Sequence, residues 1–243
     1  MRDFILVIPA RLESTRLPRK LLIKVEGKTI IERTFNCALR ALKQRDKIFI
    51  ATDSIEIEQH CISFGANVVL TSNNCLTGTD RVAEVADKIK AKQYINLQGD
   101  EPIFPEKELN FFIKEAIKYP NDVSTAVTKI KNEDDYRNLS IPKMVFSNSK
   151  KLLYSSRASI PSNKKNFFKE GYKHVCIYAF NNKHLKAFEN QPEKTYFEFI
   201  EDLEINRFLE LDIPVNCIEL NESGKAIDTP EDLRKLENLL RIT

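Results

Sequence analysis

Residues 4–20 read FILVIPARLESTRLPRK. Phe4–Ile8 is an apolar run of strand length. It breaks at Pro9 into a segment that carries Arg11, Arg16, Arg19 and Lys20 within ten positions. In open α/β sheets the loops beyond the carboxyl ends of the strands line the ligand crevice, so a buried strand running into a cationic loop predicts one wall of a binding site. The rhythm continues downstream. Thr29–Leu42 places Ile30, Ile31, Phe35, Ala38, Leu39 and Leu42 at helical spacing, Lys47–Ala51 reads as a strand, and Ile55–Phe64 reads as a helix closed by Gly65. Asn67–Leu70 is a strand, Thr79–Lys90 a helix, Tyr94–Leu97 a strand, and Pro105–Lys118 a helix with proline near its first turn. Strands separated by helices predict an α/β, Rossmann-like, mainly parallel sheet.

After Ser124–Lys129 the pattern shifts to strand-like runs at Lys143–Phe146, Lys151–Tyr154 and Val175–Phe180, which predicts an inserted β-rich subdomain at about residues 131–180. Helices return at Asn181–Glu189 and about Phe197–Leu211, followed by a strand at Val215–Leu220 and a closing helix from Pro230. With no internal repeat and no Gly/Ser linker, residues 1–243 read as one domain carrying an insertion.

The composition narrows the class. Across 243 residues, 38 Lys+Arg stand against 35 Asp+Glu, and the signs are interspersed, which does not suggest general nucleic-acid binding. No apolar run approaches the roughly 20 residues of a spanning helix, so the expectation is a soluble, cytoplasmic protein without membrane insertion. Five cysteines without a CxxC pair and only three histidines argue for reduced thiols and against a zinc or multi-histidine centre. Any metal would sit on carboxylates.

Four cations in one loop repel one another unless an anion orders them, and a triphosphate carries enough charge to do so. A solvated basic loop is the plain alternative, and the absence of GxxxxGK[ST] excludes a Walker loop. Asp100, in Gln98-Gly99-Asp100-Glu101-Pro102, follows a strand and is a candidate Mg²⁺ ligand; a simple turn is the competing reading. Asp228, in Ala226-Ile227-Asp228-Thr229-Pro230, supplies a second carboxylate, with Thr229 the better placed residue for capping the last helix. Gly78-Thr79-Asp80-Arg81 opens a helix whose N–H groups could receive an anion or a base, or could be an ordinary cap.

Taken in order, IPARLESTRLPRKLL from Ile8, ATD at 51–53, GTDR at 78–81, NLQGDEP at 96–102, LYSSRASIP at 153–161, HVCIYAF at 174–180, DLEINR at 202–207 and IDTPEDL at 227–233 resemble the 3-deoxy-manno-octulosonate (Kdo) cytidylyltransferases over nearly the whole chain. The resemblance implies a nucleotide-diphospho-sugar transferase type of fold and a homodimer. It implies an Mg²⁺-dependent enzyme that activates a 3-deoxy-2-ulosonic acid with CTP, giving CMP-sugar and pyrophosphate for lipopolysaccharide or capsule synthesis. By carry-over, Ala10, Arg11, Ser14, Lys20, Gly78, Thr79, Arg81 and Gln98 would bind the nucleotide, and Arg157, His174 and Glu204 the sugar. Asp100 and Asp228 would hold Mg²⁺, with Lys20, Arg16 and Asp100 the catalytic set and the 131–180 insert the dimerisation and sugar-binding subdomain.

The departures from the family pattern gather on the sugar side. Ile205 stands where Gln is usual, Asn206 where Leu is usual, and Ser162-Asn163-Lys164-Lys165 where an aromatic and a basic residue are common. Arg19 replaces a glycine in the first loop. Drift is one explanation. The others are a pocket for a modified acidic sugar, such as an 8-amino analogue of Kdo or a nonulosonate, or a non-catalytic nucleotide-sugar sensor on the same fold.

Overall fold

The computed structural model describes residues 2–14 and 16–242; Thr15, inside the basic stretch, lies outside the described residues. The first strand, β1 (Arg2–Ala10), extends the expected run by two residues at each end and is buried from Ile5 onward. A short hairpin of β2 (Lys24–Val25) and β3 (Lys28–Thr29), not anticipated as strands, turns through Glu26 and Gly27, both at positive φ as a tight two-residue turn requires. Next come α1 (Ile30–Leu42), capped by the Thr29 hydroxyl, then β4 (Ile48–Thr52), α2 (Ile55–Ser63), capped by Ser54, and β5 (Asn67–Leu70). The first half closes with α3 (Gly78–Lys88), β6 (Ala91–Leu97) and α4 (Glu106–Ile117).

The second half comprises β7 (Val123–Lys129), a five-residue α5 (Glu133–Arg137), β8 (Lys143–Phe146), β9 (Leu152–Ser156) and β10 (Tyr172–Phe180). It continues with α6 (Asn182–Glu189), α7 (Tyr196–Glu201), α8 (Ile205–Glu210), β11 (Val215–Glu219) and α9 (Pro230–Ile242). The single helix expected at about 197–211 is two helices. Asp202 enters the left-handed region at φ 51°, its N–H bonding back to the Glu198 carbonyl, and the chain turns before α8 begins.

Among the described residues the main sheet has nine strands, with the path β11-β7-β10-β6-β1-β4-β5 and β8 and β9 branching from β10. Pairings of β1 with β4 and β6, of β4 with β5, and of β7 with β11 are parallel, whereas β10 runs antiparallel between β6 and β7. Thus Val175–Phe180, read from sequence as part of the insertion, lies in the central sheet, and the outlying portion is the β8–β9 hairpin with its flanking loops.

Both faces of β1 are covered, as parallel strands demand. Leu6 and Ile8 pack with Ile31 and Phe35 of α1 on one face, while Ile5 and Val7 pack with Val82 and Val85 of α3 on the other. No helix of the described residues is long and apolar enough to cross a membrane.

Candidate functional site

The carboxyl ends of β1 and β6 lie side by side, and the loops that leave them form the floor of a cleft of about 250 Å³. Gly99 makes this approach possible, because a Cβ there would stand 2.7 Å from the Pro9 carbonyl oxygen. Ala10, Arg11, Ser14 and Lys20 line one wall, Gln98 and Asp100 the floor, Gly78 and Arg81 of α3 a second wall, and Asp202 and Glu204 of the α7–α8 elbow the rim. Pro9, Leu21, Cys75, Leu76 and Lys194 also line it, though nothing in the local sequence of Lys194 marked it out.

Lys20 joins the two candidate metal ligands. Its Nζ lies 2.5 Å from Asp100 Oδ2 and 2.9 Å from Asp228 Oδ1, and Arg16 reaches the same Asp228 oxygen at 3.0 Å. Burial works against the Lys20 charge, but the two carboxylates outweigh it and hold the ammonium above its usual pKa. Asp228 lies in the loop just ahead of α9, not at a strand exit, and Ile227 N–H donates to the Asp100 carbonyl at 3.0 Å, which ties that loop to the β6 loop. Thr229, with Asp232, caps α9 as expected, so the Asp228 carboxylate is not needed for capping. The basic loop finds its counter-charges far away in sequence: Arg19, at φ 53°, pairs with Glu56.

The buried Glu101 carboxyl, with Oε2 lacking a hydrogen-bond partner, is pushed up to about 8 by burial and by Asp100 and Asp228. Asp100 and Asp228 thus oppose ionisation of Glu101 while both contact Lys20. Among the described residues no group of three or more His, Cys, Asp or Glu gathers as a metal site. Two hard carboxylates that leave the other positions to phosphate and water fit Mg²⁺, which commonly binds in that way.

The N-terminus of α3 is satisfied from within the protein. Glu204 accepts from Gly78 N at 3.2 Å, Thr79 N at 3.1 Å and Thr79 Oγ1 at 2.5 Å, while Asp80 N is bonded to the Thr77 hydroxyl. The N–H groups expected to be open to a ligand are therefore occupied by Glu204, whose pKa burial raises against the opposing pull of the Thr79 bonds. Thr79 is buried behind Gly78, and Arg81 is held by Asp53 at 2.9 Å and Thr71 at 2.5 Å.

Arg157 and His174 do not line this cleft. Arg157 spends its donors on the Glu201 carbonyl and carboxylate and on the carbonyls of Leu139 and Asp202. His174 is buried in β10 with Nε2 3.0 Å from Thr125 Oγ1, and burial lowers its pKa to about 4. Cys75, on the wall, is pushed up to about 12 by burial and by its bond to Glu84, so no thiolate nucleophile faces the cleft from there.

Cations and carboxylates gathered at this cleft, with no activated nucleophile among the described residues, describe a phosphate-handling site, and relatives agree. A sequence profile described as Cytidylyltransferase matches residues 5–214. The 3-deoxy-manno-octulosonate cytidylyltransferase of Protochlamydia amoebophila (strain UWE25) is 38% identical over 242 residues, covering 96% of this chain and 93% of that protein. The enzyme of the same name from Elusimicrobium minutum (strain Pei191) is 38% identical over 247 residues and covers 99% of each. A solved structure of CMP:2-keto-3-deoxy-manno-octonic acid synthetase complexed with CTP superposes with a TM-score of 0.89 at 32% identity, covering 99% of each chain. HddC from Yersinia pseudotuberculosis, at 16% identity and a TM-score of 0.69, shares the fold. Full-length likeness at this level, joined to the strand-end cleft and its basic loop, makes the chain a member of the 3-deoxy-manno-octulosonate cytidylyltransferase family.

Proposed function

We propose that the protein transfers the cytidylyl group of CTP to the anomeric hydroxyl of Kdo, giving CMP-Kdo and pyrophosphate for lipopolysaccharide or capsule synthesis. The observation that carries this reading is that Lys20 and Asp100, which line the cleft, are in contact with each other, and that Lys20 and Arg16 both reach Asp228 beside them. The sugar hydroxyl attacks the α-phosphorus in line as pyrophosphate leaves, so catalysis rests on positioning and charge neutralisation rather than on a covalent enzyme intermediate. Ala10, Arg11, Ser14, Gly78, Arg81 and Gln98 enclose the nucleotide, with Thr79 buried behind them. Lys20 and Arg16 turn from the carboxylates to the phosphates and stabilise the charge that builds on the leaving group. Asp100 and Asp228 would hold Mg²⁺, which would polarise the phosphoryl oxygens and offset their charge.

On the sugar side Glu204 stands at the rim, with Arg157 one layer behind it through Asp202 and His174 inside β10. Two of the departures from the family pattern, Ile205 and Asn206, point away from the cleft. Ile205 is fully buried in the core, and Asn206 donates to the Ser155 carbonyl at 3.0 Å, so neither faces the cleft. This favours Kdo over a modified sugar. Residues 1–243 act as one domain, and the reading places the enzyme in the cytoplasm, in keeping with five unpaired cysteines. A second copy of the chain covers the apolar side chains that α7 exposes, Tyr196, Phe199 and Ile200.

The test is pyrophosphate release with CTP, Mg²⁺ and a panel of acidic sugars. The expected result is release with Kdo at a higher kcat/KM than with its 8-amino analogue. CTP binding without release for any sugar would instead favour a sensor.

A further inference from the structure

The cleft's α3 wall and its α7–α8 rim are joined by two separate links. One is the Glu204 carboxylate on Gly78 and Thr79. The other lies deeper. Arg207, in α8, has no solvent exposure and grips Glu198 of α7 with two bonds, Nε to Oε2 at 2.5 Å and NH2 to Oε1 at 2.7 Å. Its NH1 donates to the Phe188 carbonyl at 3.2 Å, and the guanidinium lies 3.7 Å from the centroid of the Phe188 ring. The same NH1 pairs with Asp80 Oδ1 at 3.5 Å.

Asp80 is thereby used at both oxygens. Oδ1 faces Arg207, while Oδ2 accepts from Thr77 N and Thr77 Oγ1, each at 2.8 Å, and the Thr77 hydroxyl caps α3 in return. Thr77 and Gly78 line the cleft. A buried ion triad adds little net stability over apolar packing of the same volume, so what it supplies is a fixed geometry. Only the planar fork of arginine can hold Glu198 at two atoms and still reach Asp80; a lysine ammonium has no such fork.

We propose that Arg207 is a positioning residue for nucleotide binding, acting through Asp80 to fix the Thr77–Arg81 turn against the cleft. The inference rests on the reading of the cleft as the CTP site. CTP affinity then depends on Arg207 although Arg207 does not touch the cleft, and the dependence disappears once Asp80 can no longer be held.

A double-mutant cycle on CTP affinity, measured calorimetrically with Mg²⁺ and without sugar so that no turnover occurs, tests this. Arg207→Lys and Asp80→Asn should each weaken CTP binding by about tenfold, and the double variant by no more than about the larger single effect, the signature of coupled residues. Independent, multiplying effects, or unchanged CTP affinity with only a lowered melting temperature, would overturn the proposal. If Arg207→Lys does not fold, Asp80→Asn, at a partly exposed position, carries the test. Faster hydrogen exchange across residues 77–81 with weakened CTP binding supports the link, and unchanged exchange and affinity reject it. A wild-type protein that binds no CTP overturns the cleft reading and this inference with it, whereas wild-type binding with an additive cycle removes the inference alone.

Discussion

Lys20 Nζ lies 2.5 Å from Asp100 Oδ2, and the two residues, 80 positions apart, meet because parallel β1 and β6 end side by side. The same ammonium reaches Asp228, which Arg16 also holds, so one lysine links the two carboxylates. Asp100→Asn and Asp228→Asn are each expected to lower turnover by at least about a hundredfold with little change in melting temperature, since each removes charge without changing shape. Steady-state rates at saturating Mg²⁺ and CTP check this. Near-normal rates in both variants would remove the carboxylates from the mechanism.

Because Lys20 stands between the two carboxylates, it competes with a divalent cation for them. Lys20→Met is expected to bind Mn²⁺ at least about tenfold more tightly than the wild-type protein in the absence of nucleotide, while losing most of its activity, because Asp100 loses its cation and Asp228 keeps only Arg16, so both gain from a nearby cation. Electron paramagnetic resonance titration of free Mn²⁺ reads this directly. Equal Mn²⁺ affinities would show that the lysine does not guard the site.

Burial holds His174 neutral, with its pKa lowered to about 4 from 6.5. The unfolded chain binds a proton there between these values and the folded chain does not, so this group's stabilisation is fully present above about pH 6.5 and falls as pH drops towards 4. The loss is at most about 3 kcal/mol. Glu101 works in the opposite sense, since its carboxyl is pushed up to about 8 and its ionisation opposes folding as pH rises from 4.5. The difference between wild type and His174→Asn isolates the histidine. The gap between their melting temperatures should narrow on acidification through this window, and a pH-independent gap would refute the assignment.

Phe199 of α7 is 68% exposed, and Tyr196 and Ile200 of the same helix are exposed apolar side chains as well. Phe199→Glu places a charge where a second copy would bury an aromatic ring, an arrangement that costs several kcal/mol when the charge is unpaired. Sedimentation velocity should show a dimer for the wild type and a monomer for the variant. A variant that remains dimeric would locate the interface elsewhere.

Much of this protein was legible in the chain. Strands announced themselves by short apolar runs, and α1 by its 3.6-residue spacing, because these signals are local and one face of each element must leave water. The basic loop and Asp100 were legible as strand-end features for the same reason. Tertiary structure decided what local pattern cannot encode. The break at Asp202, which splits one expected helix in two, comes with the buried pairing of Glu198 and Arg207 across the bend. Glu204, 125 residues from Thr79, fills the α3 N-terminus that the sequence left open to a ligand. Arg16, Arg19 and Lys20 find their partners in Asp228, Glu56 and Asp100, none of them near in sequence, because Coulomb and hydrogen-bond energies depend on distance in space and only the folded sheet sets that distance.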